Sequence, residues 1–153
     1  MKKTIMLMMV VAVTFVGCHA AGFDRIFKEF KHAANVEYVS VPSWLLKLGS
    51  IGTDDSDDMP GKVSGVKVLD LEKCGSDVKK RLFSRVEELS GGYEEILRVN
   101  DDGEKVRMWI VGDEKKISKL YIFALDDSDC AFIELKGEFS YDKLDELASI
   151  NYN

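Results

Sequence analysis

Apolar residues recur at helical spacing in three stretches of the chain. In residues 23–34 they form one stripe, with charged residues on the opposite side: Phe23, Ile26, Phe27, Phe30 and Ala33. A second stripe runs through residues 76–89 and ends before two glycines, which favour helix termination. A third begins near Ser140 and continues through Ile150. The spacing predicts three amphipathic helices.

The remaining apolar runs are short and strand-like. Two of them precede the second helix, residues 36–41 and 63–71, and four follow it: residues 93–99, 105–111, 117–125 and 130–136. The links between the last four runs are short and rich in turn-forming residues, so these strands pair as antiparallel neighbours in a meander. The pattern predicts a two-layer α+β domain, with a mainly antiparallel sheet and helices packed on one face.

The segment between the first two strands breaks this pattern. A short helix is predicted over residues 43–49, and an acidic loop rich in Asp and Gly over residues 50–62. The loop begins with the carboxylate spacing of a calcium-binding loop, but Met59 and Gly65 stand where such a loop needs glycine and glutamate. We therefore predict a solvated loop and no metal site.

The N-terminal residues read as an export signal. Lys2 and Lys3 precede an apolar run of about a dozen residues, too short for a bilayer that needs about 20 residues in a helix. A small-residue stretch that contains Cys18 follows the run. We predict a signal peptide over residues 1–22 and a single domain over residues 23–153.

Two processing routes are open for this signal. Residues 15–18, Phe-Val-Gly-Cys, resemble a bacterial lipobox, in which cleavage before the cysteine leaves Cys18 to carry a lipid. Phe15 departs from that pattern, where leucine is usual. The other route is ordinary secretory cleavage after Ala20. The first route predicts membrane attachment through a lipid on Cys18, and both predict an exported protein.

Charge limits the partners of the exported chain. Acidic residues outnumber basic ones 27 to 21, and the net charge of −6 becomes −8 when Lys2 and Lys3 are removed with the signal. This balance argues against nucleic-acid binding and against attachment to anionic lipid through a basic surface. If the protein lies at a membrane, the N-terminal lipid holds it there.

Two cysteines remain in the domain, Cys74 and Cys130. In an oxidising compartment they permit one disulfide, but that bond needs close Cα atoms, which spacing in sequence does not establish. The alternative is that both are free and buried as small apolar side chains. The sequence leaves both alternatives open.

No catalytic, cofactor-binding or metal-binding constellation stands out. His32 lies on the polar side of the first helix, outside any serine or cysteine motif that would use it as a base. The cysteines and this histidine lack the paired spacing of zinc sites. The glycine pair at Gly91 and Gly92 follows a helix, whereas a phosphate-binding loop precedes one. We expect a protein that is not an enzyme and holds no cofactor.

Four stretches of the chain resemble the family catalogued as domain of unknown function 4252: residues 66–69, 97–106, 116–120 and 133–139. The resemblance implies a small exported protein of a Gram-negative bacterium, in the periplasm and often with a lipobox. It also implies a connection with envelope signalling, because some members are encoded beside extracytoplasmic-function sigma factors. It implies no catalytic residues.

Large aromatic side chains lie along the predicted meander: Trp109, Tyr121, Phe123 and Phe132. On an uncovered side of the sheet they would form a binding patch, and on the other side they would belong to the core. Our leading hypothesis is a membrane-anchored envelope protein that binds a protein or peptide through its sheet, with a role in stress signalling. The alternatives are a periplasmic carrier of a small apolar ligand and a hydrolase that uses a carboxylate pair.

Overall fold

A computed structural model of the chain describes residues 22–45, 62–113, 115–142 and 144. Within these ranges lie two α-helices, α1 (Gly22–Phe30) and α2 (Ser76–Leu89), and a 3-10 turn, Ser90–Gly92, that follows α2. The same ranges contain six strands: β1 (Glu37–Val41), β2 (Lys62–Asp70), β3 (Glu94–Asp101), β4 (Glu104–Gly112), β5 (Ile117–Leu125) and β6 (Cys130–Phe139).

The strands form one open sheet in the order β1-β2-β6-β5-β4-β3, and every neighbouring pair is antiparallel. Strands β3 to β6 form the predicted meander. The β1–β2 pair joins the meander through β6, so that Val68 of β2 lies opposite Ile133 of β6. The predicted α+β fold with a mainly antiparallel sheet is confirmed.

One face of the sheet, here called the helix-side face, packs against α1 and α2. From the helices, Phe23, Ile26, Phe27, Phe30, Leu82 and Val86 are fully buried or nearly so. They form one cluster with residues of the sheet that include Leu69, Trp109, Tyr121, Phe123 and Phe132. Aromatic side chains bury large areas, and this cluster therefore supplies much of the apolar stabilisation of the fold.

The opposite face of the sheet, here called the aliphatic face, carries half-buried residues that include Val66, Val68, Ile122, Ile133 and Leu135. At one end of this face lies a second apolar cluster: Ile110, Ile117, Leu120, Phe139 and Leu144. Both faces of the sheet are therefore apolar over much of their area. For this reason the sequence pattern does not indicate which face the helices cover.

Helix α1 is shorter than its sequence pattern predicts. The pattern spans residues 23–34, but the helix ends at Phe30. The next turn is tighter, with the Ala33 N–H donating to the Phe30 carbonyl at 3.0 Å. Asn35 then adopts a φ of 65°, a left-handed conformation that asparagine tolerates better than most residues, and the chain turns into β1.

The other predicted elements agree with the structure where it describes them. Helix α2 has the predicted bounds, and the glycine pair lies in the 3-10 turn that ends it. Residues 43–45 are helical, and the rest of the predicted helix over 43–49 lies outside the described residues. So do the signal peptide, the acidic loop up to residue 61 and most of the third helix. In the described part of the chain, no helix has the length and apolar character needed to span a bilayer.

Candidate functional site

A groove of about 320 Å³ opens on the helix-side face beside the start of α1. Its floor consists of two adjacent rows of paired residues that cross the sheet. The first row runs through Ser40, Lys67 and Glu134 on β1, β2 and β6, and the fully buried Tyr121 of β5 lies beside Glu134, outside the groove. The second runs through Gly65, Lys136 and Lys119 on β2, β6 and β5. Asp24, in the first turn of α1, also lines the groove.

Irregular pairing in two strands keeps apolar side chains out of this groove. The register of β2 against β6 shifts between Val63 and Gly65, and that of β5 shifts between Ile117 and Lys119. Regular alternation would place Val63 and Ile117 on the helix-side face. Instead both pack with the second apolar cluster. Such irregularities commonly reorient side chains near binding sites, and here they leave a polar floor.

Glu134 is the buried acid of the groove, with only 3% of its surface exposed. Its Oε1 lies 3.5 Å from Nζ of Lys67, which also lies over the ring of Phe27. Its Oε2 and the hydroxyl of neighbouring Tyr121 are both buried, and neither makes a hydrogen bond of ordinary length to another described residue. Burial, and then the charge of Glu134, raise the pKa of Tyr121 above its usual range. Part of the bonding capacity of Glu134 is therefore unused.

Arg107 is a second buried charge of the sheet, and more protein groups hold it than hold Glu134. It is as buried as Glu134, at 3% exposed. Its guanidinium donates to the Val99 and Val106 carbonyls and to Oδ1 of Asn100, and its Nε lies 3.4 Å from Glu87. Three hydrogen-bond acceptors therefore hold Arg107, although its Nε makes no hydrogen bond, whereas Glu134 has one ion pair at 3.5 Å among the described residues.

Two lysines of the groove face each other across the sheet. Lys119 of β5 and Lys136 of β6 are direct partners in the antiparallel ladder, on the same face as Glu134. Within the described residues neither has an ion-pair partner. Like charges placed directly opposite in a sheet are destabilising. The groove therefore contains three ammonium groups, those of Lys67, Lys119 and Lys136. It also contains the two carboxylates of Asp24 and Glu134.

Of the two alternatives that the sequence leaves open for the aromatic residues of the meander, the structure supports the core, and the binding patch is wrong. Trp109 is 1% exposed, and Tyr121, Phe123 and Phe132 are fully buried. All four lie on the helix-side face, where the Phe23 ring contacts Trp109, Tyr121 and Phe132. Period-two alternation correctly places them on one face, but it does not tell which face the helices cover.

Cys74 and Cys130 are both free and buried in the structure, at the end of the aromatic cluster. The Cys74 thiol lies 3.7 Å from the Ala34 carbonyl. Burial raises the pKa of Cys130 to about 12 and also raises that of Cys74, so both thiols are protonated at neutral pH. Of the two alternatives left open by the sequence, free and buried cysteines agree with the structure, and a disulfide does not.

The other predicted site residues lie apart from the groove. His32 is exposed just after α1, and Cys18 lies outside the described residues. In the described ranges no three His, Cys, Asp or Glu side chains are grouped so as to hold a metal ion. The sequence contains one indication of the groove: charged residues stand two positions from large aromatic residues in the same strand, and so share a face with them. These pairs are Lys119 with Tyr121 and Glu134 with Phe132.

The fold and site define a small α+β protein with an open antiparallel sheet and a polar groove where its first helix begins. The chain belongs to the family Domain of unknown function (DUF4252), which matches residues 30–147. No curated protein matches its sequence. Among solved structures, the cyanobacterial PsbP (CyanoP) from Synechocystis sp. PCC 6803 is similar at 18% identity, over 74% of this chain and 75% of that one. With a TM-score of 0.25, that similarity carries no argument about function.

Proposed function

We propose that this is an exported protein, anchored to a membrane by a lipid on Cys18, that binds a small ligand with an anionic group in the lysine groove and catalyses no reaction. The observation that carries the proposal is the direct opposition of Lys119 and Lys136, neither of which has an ion-pair partner in the part of the chain that the structure describes. Two cations in direct opposition reduce the stability of the sheet, and a bound anion would reverse that cost. Functional sites often retain such locally unfavourable arrangements.

The alternative functions receive less support. An apolar ligand carrier needs space between helices and sheet, but the Phe23 ring occupies that space, 4.8 Å from Tyr121 and 5.1 Å from Trp109 between centroids. A hydrolase needs two carboxylates available to the substrate. Glu95 is bonded to Arg98, Asp126 accepts hydrogen bonds within its own turn, and in the groove Glu134 is ion-paired with Lys67. A protein or peptide partner and a role in stress signalling stay predictions.

Anion binding is tested with inorganic phosphate and the mature Cys18→Ser chain, which carries no lipid. A ligand that binds only the folded state at a hundred times its Kd stabilises it by about 2.7 kcal/mol. We therefore expect phosphate to raise the melting temperature. Lys119→Gln should abolish that rise while leaving the protein without phosphate as stable or up to about 1 kcal/mol more stable, since one of two opposed charges is gone.

The matched control is Lys28→Gln, which removes one exposed lysine of α1 outside the groove. It should keep the full response to phosphate. An equal response in Lys119→Gln and the parent chain would contradict the groove as the binding site, and no response in the parent chain would contradict anion binding altogether.

Attachment is tested by detergent phase partition of the native envelope protein. If Cys18 carries a lipid, the protein enters the detergent phase and Cys18→Ser moves it to the aqueous phase. Cleavage after Ala20 would remove residue 18 and predicts aqueous partition for both forms. Identical partition of the two forms therefore contradicts the anchor.

A further inference from the structure

The groove lies close to the point where the anchored chain would leave the membrane. Only three residues, 19–21, lie between Cys18 and Gly22, the first residue of α1. Fully extended, the four Cα-to-Cα steps from Cys18 to Gly22 span at most about 13 to 14 Å. Asp24, in the first turn of that helix, lines the groove. A lipid on Cys18 therefore holds the groove within reach of the headgroups of the surrounding bilayer.

The groove contains charges of both signs. A simple anion would pair with its lysines but not with its carboxylates. Lys119 and Lys136 have no anionic partner among the residues that the structure describes, which calls for a phosphate or similar group. Within the described ranges Oε2 of Glu134 has no hydrogen-bond partner, and Asp24 lines the same groove, which calls for a donor with positive charge. An anion alone would face both carboxylates, and a cation alone would face three lysines. A ligand that carries both groups matches the site.

We propose that the lysine groove binds the headgroup of a membrane lipid that carries a phosphate and a primary ammonium, the phosphoethanolamine type, next to the anchor. This inference rests on the proposed anchor and anion-binding function. The phosphate lies against Lys119 and Lys136, and the ammonium lies toward Asp24 and Glu134. A volume of about 320 Å³ is at the small end of ligand sites and suits a headgroup rather than whole acyl chains.

The test uses the mature Cys18→Ser chain, so that no covalent lipid contributes, and vesicle co-sedimentation. Three vesicle types are compared: phosphatidylcholine alone, phosphatidylcholine with phosphatidylethanolamine, and phosphatidylcholine with phosphatidylglycerol. The quaternary ammonium of choline cannot donate a hydrogen bond, and glycerol carries no cation. We expect binding to the ethanolamine vesicles at least about tenfold tighter than to either other type, a difference of about 1.4 kcal/mol.

Matched double variants assign the binding to the groove. Lys119→Gln with Lys136→Gln should weaken binding to ethanolamine vesicles by about tenfold or more, about 1.4 kcal/mol. Lys28→Gln with Lys31→Gln changes the net charge equally on exposed residues outside the groove and should leave binding unchanged. Equal loss in both variants would overturn the groove as the lipid site, because it would indicate attraction by overall charge.

Soluble ligands distinguish the lipid from other sources of the same chemistry. Free phosphoethanolamine should raise the melting temperature more than phosphocholine or inorganic phosphate does. If it does so while no vesicle binds the protein, the site takes a free compound and the lipid inference is overturned. If phosphatidylglycerol vesicles bind as well as ethanolamine vesicles, the ammonium contributes nothing, and the inference fails while the anion-binding function stands. If phosphate and phosphoethanolamine both fail to bind, both proposals fail.

Discussion

At the scale of single residues, Phe23 ties the start of the domain to its core. Its ring stacks on Tyr93 at 4.0 Å between centroids, and its N–H donates to the Tyr93 hydroxyl at 3.1 Å. It is also fully buried against the sheet. Phe23 is therefore part of the core from the first turn of the domain. Either predicted cleavage, before Cys18 or after Ala20, would leave this residue in the mature chain.

We expect opposite effects on stability from substitutions of the two tryptophans. Trp109 is 1% exposed and Trp44 is 63% exposed. Trp109→Ser should lower the free energy of unfolding by about 3 to 5 kcal/mol, because it removes a buried aromatic ring and leaves a cavity. Trp44→Ser should change it by less than about 0.5 kcal/mol. Urea denaturation of both variants measures the difference, and a Trp109 variant as stable as the parent would contradict its place in the core.

At the scale of elements, the strands and helices follow from residue patterns, but the groove does not. Turn-rich links define the meander, and the stripe from Val78 to Leu89 defines α2, because these signals are local. The register shifts beside Val63 and Ile117 depend on neighbouring strands and leave no local signal. For this reason the sequence predicts the fold, but neither which face is covered nor where three lysines meet.

The connection between β4 and β5 depends on one glycine. Gly112 has a φ of 145°, and a Cβ there would collide with the Lys116 carbonyl. Gly91, in the 3-10 turn after α2, has open space around its Cβ position. Gly112→Ala should therefore lower the free energy of unfolding by more than about 1 kcal/mol, whereas Gly91→Ala should be neutral or slightly stabilising.

Thermal unfolding of the two alanine variants is the measurement. Similar melting temperatures for both would show that the β4–β5 connection can relax around an added methyl group, and the close approach to Lys116 would then carry no energetic weight.

At the scale of the whole molecule, the two cysteines report on the cooperativity of the fold. Cys74 lies just after β2, and Cys130 is the first residue of β6. The two segments are joined by a hydrogen bond at 2.8 Å, which the Leu71 N–H donates to the Cys130 carbonyl. Both thiols lie in the cluster that joins helices and sheet. A reagent reaches them only when that cluster opens.

Alkylation by iodoacetamide at pH 8 tests this in the mature Cys18→Ser chain. With the pKa of Cys130 raised to about 12, its thiolate is scarce at pH 8, and burial excludes the reagent as well. We expect mass spectrometry to find both cysteines unlabelled in the native protein and labelled in denaturant. Rapid labelling of Cys74 in the native state would reveal local opening after β2. Labelling in denaturant only after reduction would establish the disulfide instead.

The pairing of β2 with β6 also determines how the chain reaches its native state. Strands β3 to β6 are joined by short turns and can pair with each other early. Strand β2 must meet β6 across nearly half of the chain, and closing so long a loop costs entropy and slows folding. Until β2 pairs with β6, the aromatic side chains of α1 can pack against only part of the sheet and stay partly exposed. The newly made chain is therefore most vulnerable to proteolysis and aggregation in the interval before β1 and β2 join β6.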